Sequence, residues 1–205
     1  MQRTDIPLPI DFYNRHVADV ARELIGKRLC RRSRSGLTTG RIVETEAYLA
    51  NDDSASHSFK GINRKNAGMF GPPGRAYIYT IHARQCVNVV TEAKGIASAV
   101  LIRAVEPLTG VRHMQFRRRT EIVQNLCRGP ARLCEAFAIE RDLNGWDLTK
   151  ARRLWIAAAE SQCSITTSAS PRIGVTSATD LVLRFFQDSS LFVSGTRSMN
   201  KSHSP

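Results

Sequence analysis

No apolar run in the 205 residues approaches the roughly 20 that a membrane-crossing helix requires. The opening residues, MQRTDIPLPIDFY, carry no apolar stretch of the kind a secretory leader has. The expectation is an intracellular protein without a membrane partner: cytoplasmic or at the nucleoid in a bacterium, nuclear in a eukaryote. Cysteine is sparse, at positions 30, 86, 127, 134 and 163. The five are odd in number, form no C-x-x-C pair and join no Cys/His cluster at zinc spacing. Free thiols in a reducing compartment are expected, with neither a disulfide scaffold nor a structural metal. There is no internal repeat, heptad run or linker, so the length fits one sizeable domain better than two. Carboxylates are also scarce, 18 Asp+Glu against 30 Lys+Arg, for a formal charge of +12. An excess of that size, mostly arginine, suits a polyanionic partner, nucleic acid before an acidic membrane.

The local patterns that are present give a strand-rich α+β chain. Residues 11–26, DFYNRHVADVARELIG, read as one amphipathic helix, with Val17, Val20, Ala21, Leu24 and Ile25 on one face and Gly26 as its stop. Residues 27–49 read as a hairpin turning at Ser/Gly/Thr. Residues 50–75 have no periodicity and form a long loop, of a length that is usually functional or disordered; His57, Met69 and Phe70 favour function. RAYIYTIH and QCVNVVT pair as a hairpin. ASAVLIRAVEPL is another strand, GPARLCEAFAI a helix with Pro130 in its first turn, and PRIGVTSATDLVLRFFQDSSLFVSG gives short strands. The domain is expected to span residues 1–195, followed by a disordered polar tail, 196–205.

Two places conflict with a plain structural reading. In RIVETEAYL, alternation puts Val43, Thr45, Ala47 and Leu49 on a core face and Ile42, Glu44, Glu46 and Tyr48 on the other. Two carboxylates and a tyrosine there are either a solvated face or a site. Arg103 sits inside an apolar strand, where a guanidinium requires a carboxylate, and Glu44 and Glu46 are the candidates. These glutamates stand about 7 Å apart by strand rise, a separation that allows water activation beside a bond breaking through an oxocarbenium-like state. Tyr77 and Tyr79 share a strand face and serve either packing or base stacking. His57 has no second histidine at ligand spacing, so no metal is expected. Cys86, beside Asn88, has no histidine placed to activate it as a nucleophile.

The segments GRIVETEAYLANDDSASHS, NAGMFGPPGRAYIY, CVNVV, VLIRAVEPL, GPARLCEAFAI and LRFFQDSSLFVSG, in this order, resemble the alkyladenine (3-methyladenine) DNA glycosylases of the monofunctional, non-helix-hairpin-helix type. The resemblance runs from the first helix to about residue 195. It implies a curved, mostly antiparallel, open barrel-like sheet with flanking helices and a protruding hairpin. It further implies a monomeric enzyme that acts on double-stranded DNA containing damaged purines, flips the lesion out of the stack and hydrolyses its N-glycosidic bond. Glu46 matches the general base and Arg103 the arginine that positions it. Tyr48, His57 and Tyr79 match the residues that stack on the flipped base, and Asn88 the residue at the pocket floor that disfavours the 2-amino group of guanine. Glu44 has no matched role beyond a structural hydrogen bond. With no lysine at a pocket position, hydrolysis by water without a Schiff base or strand cleavage is implied, and no cofactor.

The chain departs from the family's pattern at the hairpin. His82 stands where a wedge tyrosine is expected, and Ala83-Arg84-Gln85 shortens the segment by one residue, with Arg84 available to a phosphate. Reduced duplex activity, a shift towards mispaired or single-stranded lesions, and loss of activity all remain open. The competing readings are a non-catalytic damaged-DNA-binding protein of the same fold and a basic RNA- or ribosome-associated protein.

Overall fold

The computed structural model describes residues 6–158 and 165–200. Eight strands form a curled, antiparallel half-barrel, with a few helices packed on it: an α+β fold. The strands are β1 (Arg28–Ser33), β2 (Gly36–Tyr48), β3 (Ala76–Ile81), β4 (Arg84–Thr91), β5 (Ser98–Thr109), β6 (Leu154–Ala157), β7 (Thr167–Ser170) and β8 (Arg184–Gln187). Their order is β3-β4-β5-β2-β1-β6, with β8 pairing both β2 and β7. The 13 residues of β2 make it the hub. One edge pairs with β5, while the other is shared between β1 at residues 36–41 and β8 at residues 44–46. No helix among the described residues is long and apolar enough to cross a membrane.

Helix α2 (Val17–Leu24) lies against this sheet with Val17, Val20, Ala21 and Leu24 buried. The expected single helix over 11–26 is two: α1 (Ile10–Tyr13) precedes α2, and between them Arg15 donates through Nε to Phe12 O and pairs with Glu23. Helix α3 (Val111–Arg118), which follows β5, and strand β6 have no counterpart in the sequence reading. The first mixes three arginines with scattered apolar residues and shows no amphipathic face, and the second is only four residues long. Helix α4 (Pro130–Ala136) starts at the expected proline. Only β8 lies within 171–195; residues 171–183 are irregular because their backbone bonds to side chains of the site described below.

The alternation expected of β2 fails at one level. Ile42 belongs to the main core with Ile102 and Val105, and Thr45 Oγ1 donates to Ala21 O of α2 at 2.8 Å. Val43 instead packs with Ala104, Phe186 and Val193. Pairing with β5 slips between Ile42 and Thr45, leaving Val43 and Arg103 without direct partners. Irregularities of this kind re-aim side chains beside sites. Val43 and Glu44 therefore share the side away from α2. Nor is either face solvated: residues 42–47 are all buried.

Candidate active site

Antiparallel partners directly opposite one another share a sheet face. Tyr77 of β3 pairs with Asn88 of β4, Asn88 with Leu101 of β5, and Leu101 with Glu46 of β2, so one row crosses four strands on the same face. On β8 the partner of Glu46 is Arg184. Residues remote in sequence converge here because the sheet places them in register.

At one end of the row lies a buried cluster of charge. Arg103 donates through Nε to Glu44 Oε1 at 3.0 Å and through a terminal nitrogen to Glu46 Oε2 at 3.1 Å. Arg184 donates to Glu44 Oε1 at 2.7 Å, as does the Ser194 hydroxyl at 2.9 Å, while Ser194 N–H donates to Oε2 at 2.7 Å. Burial by itself would raise the Glu44 pKa, but Arg103 and Arg184 hold it below the usual carboxylate range. Burial works against the Arg103 charge too, yet Glu46 and Glu44 push its pKa up. Glu46 also accepts from Ile173 N–H at 2.7 Å and from the Tyr48 hydroxyl at 2.9 Å. Two arginines and two carboxylates balance, as the cost of isolated buried charge requires.

At the other end is a cavity of about 250 Å³ walled by Tyr48, His57, Met69, Tyr77, Tyr79 and Asn88. The His57 and Tyr79 rings meet edge to face at 4.5 Å, and His57 Nδ1 is 3.1 Å from the Tyr77 hydroxyl. Partial burial pushes the His57 pKa down, so the ring is neutral near pH 7. Burial pushes Tyr77 up to about 12 and raises Tyr48 and Tyr79 too. All three tyrosines are therefore protonated and uncharged. Asn88 Nδ2 donates to Tyr77 O at 3.0 Å, which fixes the amide at the wall. Gly68 lets the 67–70 turn approach the Tyr77 ring, since a Cβ there would stand 3.2 Å from Cδ2.

The remaining wall is residues 174–177, anchored by Arg172. That side chain is wholly buried and grips Asp53, equally buried, at 2.6 and 2.7 Å. Its guanidinium lies 4.7 Å from the centre of the Tyr48 ring. Asp53 also accepts from Leu49 N and Ala55 N, at the start of the loop that carries His57. The pair ties together the two irregular segments that flank the cavity.

The fold thus brings together Glu46, Arg103, Tyr48, His57, Tyr79 and Asn88. It sets His82 and Arg84 apart from them. His82 and Ala83 form the two-residue turn of the β3–β4 hairpin, both in the left-handed region (φ 45° and 61°), the geometry such tight hairpins favour. His82 is exposed at the tip, one residue beyond Ile81 on the cavity wall. Arg84 is exposed, with Glu135 3.5 Å away. Sequence reasoning missed Arg172, Arg184, Asp53 and Ser194. Arg184, next to Phe185-Phe186, carries the same signal as Arg103, a cation in an apolar strand. Of the tail expected to be disordered, residues 196–200 are described, and Met199 O and Asn200 Oδ1 accept from Arg184 at 3.0 and 2.7 Å. Cys30, Cys86, Cys127 and Cys134 are buried with no disulfide between them, and Cys163 lies outside the described residues.

A half-barrel with a buried carboxylate–arginine cluster beside an aromatic cavity, on a strongly basic chain, is the framework of a nucleic-acid-processing enzyme. The methylpurine-DNA glycosylase (MPG) family model matches residues 11–190, and the chain belongs to that family of DNA repair glycosylases. It is 43% identical over 193 residues to a protein of Rhodopirellula baltica named "Putative 3-methyladenine DNA glycosylase", covering 92% of this chain and 83% of that one. Proteins of the same name from Koribacter versatilis and Methanocella arvoryzae are each 43% identical, over 93% and 86% of this chain and 94% and 88% of theirs.

Proposed function

We propose that the protein flips alkylated or deaminated purines out of double-stranded DNA and hydrolyses their N-glycosidic bond with water activated by Glu46, leaving an abasic site. The observation that carries this reading is the contact set of Glu46. A carboxylate has about four lone-pair positions, and Ile173 N–H, Tyr48 O–H and Arg103 occupy three. Among the described residues no group takes the fourth, which is left for a water brought in with the nucleotide; that water gives up a proton as its oxygen bonds to C1′. Tyr48, His57 and Tyr79 hold the flipped base between them, and Asn88 at the wall discriminates against the 2-amino group of guanine. A cationic alkylated purine leaves as a neutral base, so it needs no general acid. Its charge is also attracted to the uncharged aromatic faces. Among the described residues no lysine lines the cavity, which supports hydrolysis without a Schiff base. One chain supplies every group, in keeping with action as a monomer. His82 enters the stack at the hairpin tip, and Arg84 leaves Glu135 for a phosphate.

One observation favours a second reading. Glu46 is wholly buried and does not border the cavity; Tyr48 and residues 174–177 stand between. In the enzyme, the incoming nucleotide displaces this partition. In a non-catalytic damaged-DNA-binding protein of the same fold it stays closed. The test is a labelled duplex containing hypoxanthine or ethenoadenine, treated with alkali after incubation, with an undamaged duplex and Glu46→Gln alongside. Excision that falls at least about 100-fold in Glu46→Gln supports the enzyme. Lesion binding without excision, on these and on a methylated duplex, supports the binding protein.

A further inference from the structure

The family match ends at residue 190, yet the chain beyond it touches two of the three partners of Glu46, Arg103 and Ile173. Arg128 fixes the backbone on either side of Ser194, donating to Val193 O at 2.7 Å and Gly195 O at 3.1 Å. The Ser194 hydroxyl accepts from Arg103 at 3.3 Å and donates to Glu44 at 2.9 Å. It is the third side chain on a guanidinium that also holds Glu44 and Glu46 and lies 3.5 Å from Ile173 O. Gly195, at φ +82°, passes so close to Ile173 that a Cβ would lie 2.9 Å from Ile173 Cδ1, and Ile173 N–H is the donor to Glu46 Oε1. Further on, Met199 O and Asn200 accept from Arg184, which faces Glu44.

Resting on the reading of Glu46 as the base, we infer that Ser194, Gly195, Met199 and Asn200 form a positioning element of the active site, with Ser194 holding Arg103 in the orientation that reaches Glu46. Without the hydroxyl, the Arg103 nitrogen that it holds is free. The guanidinium then turns to grip Glu44 with two parallel bonds, the arrangement arginine and carboxylate prefer, and its bond to Glu46 is drawn off. Glu46 loses the cation that orients it. The other groups that act on it electrostatically are Tyr48 of its own strand, Arg172 in the wall, Tyr79 on β3 and Cys86 on β4, with Glu44 beyond Arg103. Of these, Glu44 alone bonds Ser194, through the backbone N–H and the hydroxyl.

The test compares Ser194→Ala, Ser194→Thr, Ser198→Ala and Glu46→Gln with the full-length protein, measuring single-turnover excision across pH and affinity for the lesion duplex. Ser198 is exposed and bonds only Thr196 in this segment, which makes it the control. In Ser194→Ala the rate is expected to drop about tenfold, the low end for loss of an outer partner of a functional group. Affinity is unchanged, so the loss falls on the excision step. Ser194→Thr restores the rate and Ser198→Ala matches the parent. Gly195→Ala, which crowds Ile173, lowers the rate in the same way. A rate loss in Ser194→Ala that follows only the folded fraction, or that Ser194→Thr does not restore, overturns the inference, as does an unchanged rate. If Glu46→Gln excises as fast as the parent, the assignment of the base itself falls and this inference with it. If Glu46→Gln is inactive while Ser194→Ala is unaffected, only the positioning role falls.

Discussion

Removing either half of the Arg172–Asp53 pair should open the site from behind. In Arg172→Met the Asp53 carboxylate keeps only the Leu49 and Ala55 N–H groups and remains buried without its counter-ion. Leaving one member of a wholly buried pair costs about 3–5 kcal/mol. At roughly 2–4 °C per kcal/mol for a chain of this size, the melting temperature falls by about 6–20 °C. Asp53→Asn leaves the reverse problem: a buried guanidinium with Ala47 O, Ala178 O and the Tyr48 ring as its remaining partners. The double variant Asp53→Asn/Arg172→Met removes both charges, so it should lose less than the sum of the singles by about 1–3 kcal/mol. Denaturant unfolding of the four proteins gives the cycle directly. Amide exchange should quicken in 49–57 and 171–178 before the rest of the sheet in both single variants. Single losses that add to within about 0.5 kcal/mol, or exchange that quickens uniformly, would refute the idea that this pair staples the two walls.

Acid should act on the same region through Glu44. Burial raises its pKa, but Arg103 and Arg184 overcome this and hold it low in the folded state. The stability it contributes is therefore present above the ordinary carboxylate pKa and is lost as pH falls through the folded value. Unfolding midpoints at pH 6 and pH 3 check this, and Glu44→Gln should flatten the dependence between them. His57 should titrate below its ordinary value of about 6.5, because partial burial disfavours the imidazolium; a midpoint at or above that value in an NMR titration contradicts the geometry. Tyr48→Phe keeps the ring over the cavity but removes a donor to Glu46. Excision should slow by about tenfold, the equivalent of one hydrogen bond of roughly 1.4 kcal/mol, with lesion affinity intact; an equal loss of affinity would place the hydroxyl in binding instead. His82→Ala should reduce excision from duplex more than from single-stranded DNA, by about tenfold, and equal effects on the two substrates would remove His82 from the stack.

Local signals made much of this legible from residues alone. The hairpins, the Pro130 helix and the functional loop are written in turn residues and period-two runs, which act over a few positions. Arg103 in an apolar strand announced a buried carboxylate partner, because a lone guanidinium cannot be buried cheaply, and both glutamates answer it. The motif order made the family recognisable before any coordinate. What the local pattern could not carry was the slip in pairing between β2 and β5. It turns Ile42 into the core and Glu44 with Val43 to the other side, although strict alternation assigns them otherwise. The partners of the cluster were equally out of reach: Arg184 lies 140 positions from Glu44, Ser194 lies 150, and Arg172 lies 119 from Asp53. Side-chain chemistry sets which groups need partners, and that much is local. Which groups supply them is decided only when the sheet curls and brings distant segments within 3 Å.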